Sequence, residues 1–146
     1  MAMLSLRSAI LALTTGVVGV FLGVGGATLS RAAVASGAAS DHVVFSGPLP
    51  NVPGELLTAV EVEYAPGGAS PPHRHAGSVF AYVVSGEIRS ENSVTGPARV
   101  YHAGEGFFEP AGSVHLVSAN ASASTPAKLL AVFVADEGAT LTLPAK

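Results

Sequence analysis

The sequence predicts an all-β domain, a small antiparallel barrel built from many short strands and preceded by an N-terminal export or anchor segment. From Asp41 onward, apolar runs of four to ten residues alternate with clusters of Gly, Pro, Ser and Asn. This spacing is typical of β-sandwiches and barrels. In the same region no stretch has the 3.6-residue apolar periodicity of an amphipathic helix. The first forty residues differ in composition, because they contain no acidic residue.

Residues 1–35 have the composition of a secretory signal peptide. Arg7 lies in a short positive region, an apolar segment follows, and the small-x-small sequence Ala-Val-Ala at residues 33–35 is a candidate cleavage site. The apolar segment is long for a signal peptide and approaches the length that spans a bilayer, so an uncleaved anchor is the alternative. Residues 36–42 are then a flexible lead-in, and residues 43–146 form the barrel. Either alternative places the barrel in the periplasm or outside the cell.

Charge and cysteine content exclude several classes of function. Residues 36–146 carry five Lys and Arg against ten acidic residues, a net charge of −5 with neutral histidines. We expect no nucleic-acid partner, because such a domain has no basic patch. Contact with a membrane is expected only through an uncleaved N-terminal segment. The chain has no cysteine, which excludes disulfides, a thiolate nucleophile and sulfur ligands for a metal. The barrel must therefore be stabilised by its own hydrophobic core.

The strand pattern is clearest in the run AVEVEY. Alternation with a period of two places Val60, Val62 and Tyr64 on one face of this strand and Glu61 and Glu63 on the other. The later runs VFAYVV, ARVYH, VHLVSAN and AKLLAVFVA predict further strands, and the Gly- and Pro-rich segments between them predict turns.

Two histidines separated by one residue form the first candidate site. On a strand, His73 and His75 project from the same face, and Arg74 points the other way. Pro71 and Pro72 mark the entry of this strand, because proline cannot pair in the middle of a sheet. Two imidazoles on one face are half of a metal site. A pair of surface histidines on an edge strand is the alternative at this point.

A second stretch, residues 103–120, indicates the role of the histidine pair. Together the two stretches resemble the two sequence motifs of the cupin superfamily. The first motif is Gly, five residues, His-x-His, three or four residues, Glu, six residues and Gly; the second is Gly, five residues, Pro-x-Gly, two residues, His, three residues and Asn. The matching residues are Gly67, His73, His75 and Gly86 in the first motif and Gly104, Pro110, Gly112 and His115 in the second. Asn120 stands one place later than the second motif requires.

The resemblance implies a small jelly-roll β-barrel, commonly a homodimer, with a metal inside. By position, His73, His75 and His115 correspond to metal ligands, whereas the position of the family's fourth ligand, a glutamate, is Val79. The implied three-histidine site resembles those of certain iron dioxygenases. One divalent transition metal is therefore the expected cofactor, Fe(II) first, although Zn, Cu, Ni or Mn is also possible. A metal-free barrel that keeps its histidines as core or pocket donors is the alternative.

Four further residues complete the candidate site. Glu109 precedes Pro110 and is a candidate acid/base catalyst or substitute ligand, with a strand-end surface carboxylate as the alternative. Val79, Ala81 and Val83 share one strand face and are expected to form an apolar pocket wall. The sequence therefore predicts an exported metal-binding cupin that acts on a small organic molecule, as a dioxygenase-like oxidoreductase. A non-catalytic module that binds a metal or a small molecule, in a sensory role for example, is the alternative.

Overall fold

A computed structural model describes residues 39–145, and within this range the chain forms β-strands and turns without a helix. The strands are β1 (Ser40–Pro48), β2 (Glu55–Tyr64), β3 (Ala69–Ser70), β4 (His73–His75), β5 (Ser78–Ser85), β6 (Glu87–Asn92), β7 (Gly96–His102), β8 (Gly106–Glu109), β9 (Val114–Asn120), β10 (Ala127–Asp136) and β11 (Thr142–Pro144). The all-β prediction is confirmed. None of the described residues belongs to a helix long and apolar enough to cross a membrane. The predicted signal or anchor segment, residues 1–35, lies outside the described range.

The strands form two antiparallel sheets. The first has the order β1-β2-β10-β5-β8, and the second has the order β11-β4-β9-β6-β7, with β3 also paired to β9. Strand β1 pairs with β2 from Ser40 onward, so the barrel begins three residues before the expected boundary at residue 43. Ile88 of the second sheet shares one buried cluster with Val79 and Val83 of the first. The two sheets therefore enclose a common core.

Side chains alternate between the core and the outer surface, as the period of two requires. Along β2, Val60 and Tyr64 are buried and Glu63 is exposed, in agreement with the predicted alternation. Strand β10 alternates along almost its whole length. On the outer face of the first sheet, Phe80 and Phe108 are opposite each other and exposed.

Two glycines of the sequence motifs make turns that lead into strands of the site, Gly86 into β6, which carries Ser90, and Gly112 into β9, which carries His115. Gly86, between β5 and β6, has φ 72°, and a Cβ atom there would lie 2.7 Å from the carbonyl oxygen of Pro126. A side chain at this position would clash with backbone. Gly112, between β8 and β9, has φ 73° and donates its N–H to the carbonyl of His75 at 3.2 Å. The left-handed conformation at Gly112 forms the turn before His115, and the hydrogen bond from its N–H links this turn to the strand that carries His75.

Candidate metal centre

Strand pairing brings the three predicted histidines together. Strand β4 carries His73 and His75, and it pairs with β9 so that His73 lies opposite His115. The ring centroids are 4.7 Å apart for the first pair and 5.0 Å apart for the second. One nitrogen from each of the three rings lies within 4.8 Å of the other two. Residues about forty positions apart in the sequence therefore converge on one point.

Hydrogen bonds orient two of the imidazoles. Nδ1–H of His73 donates to the carbonyl of Pro71 at 2.7 Å, and Nδ1–H of His75 donates to the carbonyl of Leu141 at 3.1 Å. These bonds fix the tautomer and leave Nε2 of both rings with a lone pair available to a metal. The backbone thus performs the orienting role that carboxylates often perform at metal sites.

His115 is held from both sides. Its Nε2 lies 2.9 Å from Oγ of Ser90, and its Nδ1 lies 3.0 Å from Oε2 of Glu109. Since both ring nitrogens have polar partners, the imidazole cannot rotate without losing a hydrogen bond. Sequence reasoning did not identify Ser90, although the alternation of the run EIRSEN places it on the same face as the buried Ile88.

Glu109 lies inside the barrel, only 3% exposed, and is not a surface carboxylate. Its Oε2 is 3.0 Å from Nδ1 of His115 and 3.9 Å from Nε2 of His75. Asn92 donates a long hydrogen bond of 3.4 Å to the same oxygen. The residue directly opposite Glu109, on β5, is Val79. The carboxylate missing from position 79 therefore has a counterpart on the neighbouring strand.

Burial determines the charge state of this cluster. It raises the pKa of Glu109 to about 7, against a smaller lowering by the hydrogen bond from Asn92. Burial likewise lowers the pKa of His75 to about 4 and that of His115 to about 3. For His115, the neighbouring His73 and His75 lower the pKa further. Near neutral pH the buried imidazoles are uncharged, which is the form that binds metals.

The donor set fits a divalent transition metal. Neutral imidazole nitrogens suit Zn, Fe, Cu and Ni, and a carboxylate oxygen is accepted by all of them. The cluster supplies three such nitrogens and has a carboxylate oxygen beside two of them. The residues can therefore hold a metal ion, whose identity the donor types alone do not select.

Comparison with known proteins identifies the family. The sequence profile of the family described as Cupin domain matches residues 60–133, about half of the chain. The chain belongs to the cupin family. No curated protein has a significantly similar sequence.

Solved structures share the fold of this cupin at low sequence identity. A protein with a double-stranded β-helix domain from Klebsiella pneumoniae is 23% identical with a TM-score of 0.57, over 75% of this chain and 87% of that one. KdgF from Halomonas sp. is 22% identical with a TM-score of 0.54, over 68% and 81%. The DMSP lyase DddQ from Ruegeria pomeroyi is 18% identical with a TM-score of 0.58, over 73% of this chain and 51% of that one. These similarities confirm the fold.

A cavity of about 540 Å³ adjoins the histidines of the cupin. All three histidines and Glu109 line it, together with mostly apolar side chains that include Phe107, Leu129, Ala131 and Phe133. The lining also includes Pro71, Pro72 and Pro144, which are exposed. The polar cluster thus lies in the wall of an apolar pocket, an arrangement common in small-molecule sites.

Of the three residues expected to form the pocket wall, only Ala81 lines the cavity. The expectation was wrong for Val79 and Val83, which are buried in the core and are not part of the lining. The cross-strand partners on β10 explain the difference. Ala81 faces Ala131, so two small side chains leave space, whereas Val79 faces Phe133 and Val83 faces Leu129. At those two positions larger partners fill the interior.

Three hydroxyl groups form a second polar feature of the cavity. The hydroxyl of Tyr64 lies 2.7 Å from Oγ of Ser118 and 3.1 Å from Oγ of Ser70, and all three residues line the cavity. Ser118 follows His115 by three residues on β9, so this hydroxyl cluster lies at most about 10 Å along the strand from that histidine. Asn120, displaced from its motif position, instead holds a turn through Nδ2–H bonds to backbone carbonyls, one of them that of Thr125 at 2.7 Å.

Proposed function

We propose that this cupin binds one divalent transition metal through His73, His75 and His115 and acts with it on a small organic molecule held in the cavity. The observation that carries the proposal is the convergence of three imidazole nitrogens at the wall of a largely apolar cavity. Structural metal sites are closed by protein ligands, whereas catalytic sites keep positions open to a substrate. The position of the cluster on a cavity wall supports the catalytic type.

The lining of the cavity supports a particular class of substrate. Phe107, Leu129 and Phe133 offer apolar surface, which favours an aromatic or aliphatic body over a sugar or a nucleotide. The hydroxyls of Tyr64 and Ser118 offer one polar contact away from the histidines. Enolisable diketones, flavonols and phenolic compounds combine an apolar body with oxygen atoms that can chelate a cation. We therefore place the substrate in this group.

The proposed reaction is a dioxygenation. A bound divalent ion supplies Lewis acidity and, in the case of Fe(II), redox chemistry. Both atoms of molecular oxygen enter the organic product, so that oxygen is the oxidant, the substrate provides the electrons and no further reductant is required. The chain's own contribution is to orient the imidazoles through Pro71, Leu141 and Ser90, to exclude water with its apolar wall, and to bind the substrate's second polar group.

Metal content and oxygen consumption test the proposal in turn. Elemental analysis of the untagged full chain is expected to show near-stoichiometric metal, absent from His73→Ala/His115→Ala. The matched control is His42→Ala/His102→Ala, since both of these histidines are exposed; it should retain the metal.

The iron-loaded protein is then offered the three compound classes in an oxygen electrode. Oxygen uptake with at least one class, absent from His73→Ala/His115→Ala, would support the proposal. Metal binding without oxygen uptake, but with thermal stabilisation by one of the compounds, would assign a non-catalytic binding role instead. Absence of metal in all variants after reconstitution would refute the metal site.

A further inference from the structure

We propose that Glu109 is a fourth protein ligand of the metal, a carboxylate supplied by β8 in place of the glutamate that the family pattern puts at position 79 on β5. The inference rests on the metal site proposed above and concerns its composition. It follows from a juxtaposition that the sequence alone does not show, in which Glu109 lies directly across from Val79 in the antiparallel pairing of β5 and β8.

The pairing places the two side chains in the same region of the interior. Directly opposed residues of an antiparallel pair project from the same face with Cβ atoms about 4.5–5.5 Å apart. Val79 is 1% exposed and Glu109 is 3% exposed, so both point inward. A carboxylate at residue 109, on β8, therefore reaches the same space that a glutamate at residue 79, on β5, would occupy.

The distances satisfy the requirement for a shared ion. Two atoms bound to one ion at about 2.1 Å are separated by at most about 4.2 Å. Oε2 of Glu109 lies 3.0 Å from Nδ1 of His115 and 3.9 Å from Nε2 of His75. Both separations are within the limit, so one ion can contact this oxygen and either nitrogen.

A purely orienting role for Glu109 explains the contacts less well. An orienting carboxylate contacts the ring nitrogen that faces away from the metal. In His75 that nitrogen is Nδ1, which already donates to Leu141, and Glu109 instead faces Nε2, the nitrogen left for the metal. In His115 the hydroxyl of Ser90 provides the second contact, on Nε2. Both rings therefore have orienting partners other than Glu109.

The charge of the cluster also favours a ligand role for Glu109. A buried carboxylate is costly without a cation nearby. Among the described residues no lysine or arginine forms an ion pair with Glu109, whose polar contacts are His75, His115 and Asn92. A divalent ion would supply the missing positive charge. The carboxylate would in turn neutralise part of the charge of the ion, which three neutral imidazoles cannot do.

Titration of the metal-free full chain with Co(II) tests the ligand role by calorimetry and by visible absorption. Glu109→Gln and Glu109→Val are each expected to weaken Co(II) binding by more than about 100-fold and to alter the cobalt spectrum, because losing a ligand exceeds the 10- to 100-fold cost of losing an orienting partner. Glu91→Gln is the matched control, since Glu91 lies on the outward face of β6 and outside the cavity lining. It should bind Co(II) as the native protein does.

Exchange of Val79 and Glu109, which lie opposite each other, tests whether Glu109 is a metal ligand or only a positioning residue. Val79→Glu/Glu109→Val returns the carboxylate to the family position and should restore affinity to within about tenfold of the native protein. If this variant is folded by circular dichroism and does not recover affinity, the ligand role is refuted. If it does not fold, Glu109→Gln decides. Native affinity and spectrum in Glu109→Gln would refute the ligand role and leave the three-histidine site intact, whereas no Co(II) binding by the native protein would refute both.

Discussion

Oγ of Ser90 lies 2.9 Å from Nε2 of His115, on the opposite edge of the imidazole from Glu109. The hydroxyl comes from β6 and the imidazole from β9, and these two strands pair directly. The imidazole of His115 is therefore fixed by a contact within the second sheet. This contact makes Ser90 a positioning residue for the proposed metal site.

Ser90→Ala is expected to weaken metal binding by about 10- to 100-fold, the usual cost of removing a group that orients a ligand. The physical reason is that the ring of His115 would lose one of the two polar contacts that hold it. Calorimetric titration with Zn(II) measures the effect. Ser118→Ala is a suitable control, because Ser118 is equally buried but bonds to Tyr64. Equal affinity in Ser90→Ala and the native protein would show that the hydroxyl does not orient the ring.

The stability of the metal-free protein should fall as the pH falls from about 6.5 to 4.5. Burial lowers the pKa of His75 to about 4 and that of His115 to about 3, so the unfolded chain binds about one proton more than the folded chain at pH 6.5 and nearly two more at lower pH. Burial raises the pKa of Glu109 to about 7, so here the folded chain binds one proton more. The net difference of up to about one proton lowers the free energy of unfolding by about 1 kcal/mol for each unit by which the pH falls.

Glu109→Gln removes the opposing contribution, and the loss of stability per pH unit should then about double. Urea denaturation in EDTA at pH 4.5, 5.5 and 6.5 measures both slopes. Glu91→Gln should keep the native slope. A shallower slope in Glu109→Gln than in the native protein would show that the carboxyl group is not protonated preferentially in the folded state.

Metal binding should raise the melting temperature, because the ion binds the folded chain and has no preformed site in the unfolded one. At a free metal concentration 100-fold above the dissociation constant, the gain of about 2.7 kcal/mol corresponds to a rise of roughly 10 °C or more for a domain of this size. Differential scanning calorimetry with and without Zn(II) measures the shift. His42→Ala/His102→Ala should show the same rise and His73→Ala/His115→Ala none; an equal rise in the latter would place metal binding elsewhere.

The hydroxyls of Tyr64 and Ser118 should show strong energetic coupling. Tyr64→Phe leaves the buried hydroxyl of Ser118 without its 2.7 Å hydrogen bond, which costs about 1–3 kcal/mol. Ser118→Ala should cost less, because the hydroxyl of Tyr64 keeps its contact with Ser70. The double variant loses both partners together, so it should be little less stable than the less stable single variant. A double-mutant cycle from urea denaturation is expected to give a coupling of about 1 kcal/mol. Simple additivity would mean that the two hydroxyls do not interact in solution.

The sequence was sufficient to predict the histidine cluster, because its geometry follows from local rules. Alternation places His73 and His75 on one face of a strand, and the spacing around Pro110 and His115 matches the second cupin motif. The strands, the jelly-roll fold and the family could be recognised for the same reason. Each depends on residues close together in the chain or on a characteristic order of motifs.

The environment of Glu109 could not be predicted, because it depends on the register between β5 and β8. Adjacent to Pro110, Glu109 has the local sequence of a strand end, which usually means solvent. Only the pairing with Val79 reveals that its side chain points into the barrel. The cavity wall was mispredicted for a related reason. Val79, Ala81 and Val83 share a face, but the space beside each depends on the size of its partner on β10.

His73 differs from its two partners in exposure, and this difference bears on how quickly a metal exchanges. It is half-buried, whereas His75 and His115 are buried, and it follows directly after Pro72 on the cavity rim. In the proposed metal site, a chelator approaching from solvent would therefore meet His73 first and displace this one ligand while the barrel stays folded. Demetallation by EDTA should accordingly be faster than global unfolding. The apo- and holoproteins can then be interconverted under native conditions, with no refolding step.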